Sequence, residues 1–187
     1  MKTVYIIHGW ASSSKGNWFP WIKKELEKKG VRVFVFDMPN SKRPSIEDWV
    51  GYLENNIKDV DENTYFIGHS VGCQTIIRFL EKLHKHKKVG GCFLVAPWFN
   101  LTNLDKKETE IIKPWINDNI DFSRVLDHCT NFVAMFSTND LYVQLTEDKI
   151  FKEKLNAKII HEKNQGHFDE EEEQEVLREV FKFLKIR

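Results

Sequence analysis

The segment GHSVG at residues 68–72 places a serine between two glycines, where an apolar run meets a helical pattern. Residues 64–67 are typical of a strand, and apolar residues recur at helical spacing from Val71 to Leu83. A sharp strand-to-helix turn of this GxSxG type, the nucleophile elbow, holds its serine in a strained backbone conformation with the hydroxyl pointing away from the sheet. We therefore predict that Ser70 is a nucleophile.

A serine hydroxyl is a poor nucleophile until a base accepts its proton, so this chemistry requires a histidine and an acid elsewhere in the chain. His167 follows a glycine in a loop after the last predicted strand, and Asp140 lies at the end of the preceding one. The carboxylate would accept a hydrogen bond from one ring nitrogen and fix the tautomer of the base. The chain order of Ser70, Asp140 and His167 is the order that the elbow architecture uses, which predicts a catalytic triad.

Other residues compete for these roles, and the sequence disfavours each of them. Asp37 follows a strand at the wrong point in the chain order, and Asp148 lies in a predicted helix. His161 lies within or just after the last predicted strand, and His69, next to the serine, is expected to be structural. Cys73 lies one turn into a predicted helix, where the dipole could lower the pKa of its thiol and suit it to a redox or thiol role, but a small buried side chain is the favoured interpretation.

Acyl transfer also needs donors for a developing oxyanion and a pocket for the substrate. The first amides of a helix have no partner within it, so the amide of Val71 is one predicted donor, and the amide of Trp10 is the second. The predicted pocket residues are His8, Gly9, Trp98, Phe99 and Trp115. The side chains of His8 and Trp10 are equally compatible with packing at the end of the first strand.

Strand and helix patterns alternate along the chain, which predicts an α/β fold with a mainly parallel six-stranded sheet and helices on both faces. Active loops of such a sheet emerge at the carboxyl ends of its strands, which would bring the three triad residues to one rim.

Asp169 is predicted to cap a final helix whose first turn is the acidic run 170–173. The predicted strands cover residues 4–7, 31–36, 64–67, 92–96, 132–136 and 157–160.

Length and composition favour one globular domain over residues 1–187, because 187 residues with 41% apolar content suffice for a core. The segment of about residues 97–130 between two predicted strands is long for a crossover and rich in aromatic residues. We expect this segment to form a lid-like insert and part of the pocket wall.

Charge and cysteine usage limit the partners and the location that the sequence predicts. Twenty-eight basic and 28 acidic side chains give no net charge, which disfavours nucleic acid and anionic lipid as partners. The apolar run at the amino terminus is too short for a signal peptide or a membrane span. Three cysteines without a paired spacing predict reduced thiols and a cytoplasmic location.

These motifs resemble those of the α/β-hydrolase superfamily, and more closely those of the small serine hydrolases related to retinoblastoma-binding protein nine and its bacterial relatives. The matching segments are residues 8–10, 68–72, 139–143 and 166–168. The resemblance implies a compact α/β-hydrolase fold without the first two antiparallel strands of larger relatives, the triad named above, and no cofactor. No Leu-x-Cys-x-Glu motif surrounds any cysteine, so the namesake's protein partner is not expected here.

The favoured function is a serine hydrolase, a carboxylesterase that cleaves small carboxylic esters or related acyl compounds through an acyl-enzyme. An aminopeptidase or amidase with the same triad is the second interpretation, and a non-catalytic binding scaffold that kept the fold is the third. A dehalogenase is disfavoured because that chemistry needs a carboxylate in place of Ser70. The natural substrate, the preference for esters or amides, the oligomeric state and any protein partner stay open.

Overall fold

The computed structural model describes residues 1–186, which contain one sheet of six strands, all parallel, in the order β2-β1-β3-β4-β5-β6. The α/β fold predicted from the alternating patterns is confirmed. The strands are β1 (Thr3–Ile7), β2 (Arg32–Phe36), β3 (Thr64–His69), β4 (Gly91–Val95), β5 (Phe132–Ser137) and β6 (Lys158–Glu162). The helices are α1 (Phe19–Lys28), α2 (Ile46–Asn56), α3 (Val71–Lys82), α4 (Lys106–Asn117), α5 (Phe122–His128), α6 (Glu147–Leu155) and α7 (Gln174–Leu184).

The burial of the strands follows their place in the sheet. Every residue of β4 and β5 is buried, whereas the edge strands β2 and β6 begin with the exposed residues Arg32 and Lys158. Strands that are covered on both faces need continuous apolar sequence, and the inner strands have it. The edges carry charge, which discourages pairing with another sheet.

Helices cover both faces of the sheet, as the sequence predicted. The neighbouring residues Tyr65 and Phe66 of β3 point to opposite faces because side chains alternate along a strand. Phe66 packs against Phe79 of α3 with ring centroids 5.6 Å apart, and Tyr65 packs against Phe183 of α7 at 5.7 Å. Strand β3 is therefore covered by a helix on each face.

The final helix begins later than the sequence predicted. Asp169 does not cap it, since α7 begins at Gln174, and the acidic run precedes the helix instead of forming its first turn. Phe168 has a φ of 58° and is fully buried, and the indole of Trp18 donates to its carbonyl oxygen at 3.0 Å. The side chain of Asp169 accepts a hydrogen bond from Nδ2 of Asn17 at 2.9 Å, and Glu173, with φ −102° and ψ 87°, is the residue that precedes the first turn of α7.

The insert of residues 97–130 contains the two helices α4 and α5. Arg78 of α3 attaches it to the body: one guanidinium nitrogen donates to the carbonyl oxygens of Trp115 and Asp118 at 3.0 and 3.1 Å. The side chain of Arg78 is 2% exposed. Among residues 1–186, no helix is both long enough and apolar enough to cross a bilayer.

Candidate active site

Ser70 lies between β3 and α3 with φ 52° and ψ −121°, a conformation that residues with side chains rarely adopt. Such strain persists only where the surroundings enforce it, and here two glycines allow the turn. A Cβ atom on Gly72 would lie 2.3 Å from the carbonyl oxygen of Ile7, and one on Gly68 would lie 2.9 Å from the backbone of Cys73. The GxSxG pattern therefore forms the sharp turn that the sequence predicted.

The hydroxyl of Ser70 lies at the base of a cavity and accepts a hydrogen bond from the indole nitrogen of Trp98 at 3.2 Å. The Ser70 amide donates to the carbonyl oxygen of Val95, at the end of the adjacent strand, at 3.0 Å. Ser70 is 7% exposed. The oxygen is thus held in place while it remains accessible from the cavity.

His167 and Asp140 come together from loops 27 residues apart, with 2.8 Å between Nδ1 of the imidazole and Oδ2 of the carboxylate. The other carboxylate oxygen accepts hydrogen bonds from the amides of Tyr142 and Val143 at 2.8 and 3.0 Å. The side chain of Asp140 is 1% exposed. This arrangement orients the imidazole and leaves its Nε2 atom for another partner.

Two residues that the sequence did not single out join the loops that carry His167 and Asp140. Asn139 Oδ1 accepts a hydrogen bond from the amide of Gly166 at 2.8 Å, and Ser137 Oγ accepts one from the amide of Gln165 at 3.0 Å. Both are small polar residues at the end of β5, where a side chain can satisfy the amides of a neighbouring turn. They were detectable only as polar residues that follow a buried strand.

The ring of His69 contacts His167 and supports it. Its Nε2 atom donates to the carbonyl oxygen of His167 at 2.7 Å, and the two ring centroids are 5.0 Å apart. Burial, with a smaller contribution from the neighbouring His167, lowers the pKa of His69 to about 3. The ring is therefore neutral near neutral pH, and its role is structural, as the sequence indicated.

The cavity above Ser70 has a volume of about 720 Å³, and both Ser70 and His167 line it. The insert supplies apolar side chains to one wall together with the charged residues Asp105, Lys107 and Glu108, while the loop after β1 and Asp169 supply mainly polar groups to the other. Tyr142 also lines the cavity and packs its ring edge-on to His167, with centroids 5.4 Å apart. The apolar lining includes Trp10, Leu101, Leu104 and Ile111, and the polar lining includes Ser12, Ser13, Asn17 and Asp169.

The predicted oxyanion donors flank this cavity. Gly9 and Trp10 line it, and Val71 follows Ser70 directly. Neither the Trp10 amide nor the Val71 amide donates to a backbone carbonyl oxygen within residues 1–186. Gly9 packs closely against the ring of His69, because a Cβ atom on Gly9 would lie 2.9 Å from Nδ1 of that ring.

Four of the five predicted pocket residues do not line the cavity. Trp98 is 1% exposed and reaches it only through the Ser70 hydroxyl, and packing takes up the side chains of His8, Phe99 and Trp115 elsewhere. His8 is fully buried, its Nε2 atom accepts from the amide of Met38 at 3.0 Å, and burial lowers its pKa. Phe99 stacks on Phe151 with centroids 4.7 Å apart. Trp115 is 1% exposed and donates to the carbonyl oxygen of Pro44 at 3.1 Å.

The competing acids and bases are engaged in other contacts. His161 and Asp148 pair with each other at 3.0 Å. Asp37 accepts hydrogen bonds from the amide and the hydroxyl of Ser14 at 2.7 and 2.9 Å. Cys73 is fully buried, and burial raises the pKa of its thiol well above the ordinary value. A buried thiol of raised pKa is a poor nucleophile, which agrees with the structural interpretation.

Comparison with known proteins identifies a family model described as serine hydrolase that matches residues 4–186. The putative hydrolase YdeN of Bacillus subtilis is 34% identical over 172 residues, which cover 91% of this chain and 88% of YdeN. The serine hydrolase RBBP9 of Rattus norvegicus is 24% identical over 169 residues, 89% of this chain and 86% of that protein.

Among solved structures, the crystal structure of the B. subtilis ydeN gene product superimposes with a TM-score of 0.88 at 28% sequence identity. The match covers 99% of this chain and 100% of that one. The similarity therefore extends over the sheet, the insert and the loops around the cavity.

Proposed function

The chain belongs to the serine hydrolase family, and we propose that it is a carboxylesterase that cleaves small carboxylic esters or related acyl compounds. Ser70 is the nucleophile, His167 the general base and Asp140 the residue that orients the base. The observation that supports this most is the 2.8 Å contact between His167 and Asp140 beside a cavity that His167 shares with Ser70.

In the proposed reaction, Nε2 of His167 accepts the proton of the Ser70 hydroxyl while Oγ forms a bond to the acyl carbon. The carbonyl π electrons move to the oxygen, and the amides of Trp10 and Val71 donate to the resulting oxyanion. When the intermediate collapses, the bond to the alcohol breaks and His167 returns the proton to the leaving oxygen. A water molecule then attacks the acyl-enzyme by the same route and releases the carboxylic acid.

Asp140 contributes by stabilising the imidazolium that forms during attack. Its second oxygen already accepts two backbone hydrogen bonds, which hold the carboxylate in place. The apolar wall formed by Leu101, Leu104 and Ile111 suits an apolar acyl group, and the cavity size suits a small molecule. The proposed partner is therefore a small acyl substrate.

A fluorophosphonate probe tests this proposal, because it phosphonylates an activated serine. We expect wild-type protein to be labelled on Ser70 and Ser70→Ala to remain unlabelled. Ser123→Ala, which removes an exposed serine hydroxyl, should be labelled like wild type. Folded wild-type protein that resists the probe would refute the proposed function.

A further inference from the structure

Trp98 differs from the other buried tryptophans in what its indole nitrogen contacts. The indoles of Trp18, Trp49 and Trp115 donate to backbone carbonyl oxygens at 3.0, 2.7 and 3.1 Å. The indole of Trp98 donates instead to Oγ of Ser70 at 3.2 Å. We propose that Trp98 is a further catalytic residue, whose N–H orients the Ser70 hydroxyl and stabilises negative charge on its oxygen; this rests on the proposed function.

The position of Trp98 is well suited to this role. It follows β4, the strand next to the one that leads into Ser70, and is 1% exposed. An indole nitrogen is a donor only, so it has no means of removing a proton from the serine. Within residues 1–186, Ser70 Oγ is the hydrogen-bond partner of this nitrogen, and burial makes the bond expensive to break.

The donor restricts the hydroxyl of Ser70 before the reaction starts. A hydroxyl has one proton and two lone pairs, and the indole occupies one lone pair. The proton must then point away from Trp98, which leaves it free to point to the imidazole of His167 across the shared cavity. Preorganisation of this kind lowers the reorganisation needed at the moment of attack.

The same bond strengthens when charge develops on the oxygen. As the O–H bond breaks and the proton moves to Nε2 of His167, Oγ carries negative charge until its bond to the acyl carbon is complete. In the acyl-enzyme Oγ is an ester oxygen and a weaker acceptor. During deacylation the bond from Oγ to the acyl carbon breaks, Oγ keeps the electron pair, and the proton returns from His167, so the indole assists both halves of the reaction.

The kinetic test compares Trp98→Phe with Trp49→Phe, which removes a buried indole that bonds to a backbone carbonyl oxygen. The readouts are kcat and KM for p-nitrophenyl acetate and the rate of labelling by a fluorophosphonate. We expect W98F to lower kcat and the labelling rate about tenfold to a hundredfold with little change in KM, and W49F to remain near wild type. Equal rates for W98F and wild type would overturn the inference.

A spectroscopic test leaves Trp98 unchanged, so it does not depend on the folding of W98F. In ¹⁵N-labelled protein, with indole signals assigned through the backbone, Ser70→Ala should move the Trp98 signal upfield, since the acceptor is lost. The signals of Trp49 and Trp115 should stay in place. A Trp98 signal that does not move would overturn the inference.

The two tests separate failure of this inference from failure of the proposed function. If wild type and W98F are labelled at the same rate, the serine hydrolase remains and the role of Trp98 is refuted. If wild type is not labelled at all, the proposed function and the catalytic role of Trp98 fall together. In that second case, a shifted Trp98 signal would still establish the contact with Ser70 as a structural one.

Discussion

Single buried groups whose pKa values are displaced make the stability of this protein depend on pH. Glu173 is 2% exposed, and burial raises its pKa from 4.5 to about 7, with the nearby carboxylates of Glu170, Glu175 and Asp169 acting in the same direction. The folded protein thus binds this proton more tightly than the unfolded chain does. Stability from this group is complete below pH 4.5 and is lost as the pH rises through about 7.

Replacement of Glu173 by glutamine removes this titration. The free energy of unfolding of Glu173→Gln minus that of wild type should increase by roughly 1–3 kcal/mol from about pH 4.5 to pH 8. The reason is that wild type must form a buried charge over this range and the variant does not. Urea unfolding at several pH values measures the difference. Burial shifts the pKa of His69 in the opposite direction. Its effect on stability is the same in both proteins and cancels in the difference.

Glu172→Gln is the matched control, because Glu172 is an exposed neighbour in the same loop. Its free energy of unfolding should follow the wild-type curve at every pH. If the difference in free energy of unfolding between Glu173→Gln and wild type did not change with pH, the pKa of Glu173 would not be raised by folding.

At the level of elements, the strand–turn–helix unit of β3 and α3 depends on the absence of side chains at its glycines. Gly72 lies in the first turn of α3 beneath the end of β1, and its neighbours there are the backbone oxygens of Ile7 and His8. Backbone atoms in a central strand cannot move without disturbing the sheet. The elbow is therefore positioned by contact between α3 and β1.

Gly72→Ala should lower the free energy of unfolding by about 2–4 kcal/mol, because the new Cβ would lie 2.3 Å from the carbonyl oxygen of Ile7. Thermal and urea unfolding measure the loss. An alanine that is tolerated at wild-type stability would contradict the close packing of α3 on β1.

Gly51→Ala is a control with the opposite expected sign. Gly51 lies inside α2, and a Cβ atom there meets nothing within 4 Å. Alanine favours the helix, so the free energy of unfolding should rise by about 0.5–1 kcal/mol. The pair separates a general effect of glycine replacement from the specific clash at Gly72.

For the whole molecule, the attachment of the insert to the sheet domain determines the shape of the cavity. Residues 101–111 of the insert supply both apolar and charged side chains to the cavity, and Arg78 holds the end of α4 against α3. The same guanidinium donates to Gln74 and lies over the ring of Trp115, 5.7 Å from its centroid. We propose that the insert acts as a fixed wall rather than as a freely moving lid.

Arg78→Met keeps most of the side-chain volume and removes the donors. It should lower the free energy of unfolding by about 2–4 kcal/mol, since buried acceptors lose their partner, and should speed tryptic cleavage after Lys106 and Lys107 in the insert. Limited proteolysis under native conditions measures the second effect.

Lys82→Met is the matched control in the same helix, because Lys82 is 51% exposed and forms only a long contact of 3.9 Å with Glu54. Its effect on stability should be within about 1 kcal/mol. If Arg78→Met were as stable and as resistant to trypsin as Lys82→Met, the insert would not depend on Arg78.

The sequence predicted the class of fold and the three principal candidate residues for local reasons. Six apolar runs separated by helical patterns specify a parallel sheet, and the ends of its strands must share one edge. Ser70 and His167 consequently line the same cavity although nearly a hundred residues separate them in the chain. The GxSxG pattern was informative because any turn of this type brings backbone so close to its two glycines that a side chain there would clash.

Other features depend on contacts between distant segments, which no local pattern encodes. Phe99 and Trp115 are aromatic residues of the insert, but only the packing of the insert decides that they face the interior and that Leu101 and Ile111 face the cavity. Asp169 does not cap α7, and its side chain instead accepts a hydrogen bond from Asn17, 152 residues earlier in the chain.

The sequence by itself determined the alternation of strands and helices, the sharp turn at Ser70 and the order of its candidate partners, because periodicity and glycine spacing act over a few neighbouring residues. Only the tertiary structure decided that the indole of Trp98 contacts the serine oxygen and that His69 supports His167. These are side-chain contacts across 28 and 98 residues of chain, and the packing of the whole domain sets them.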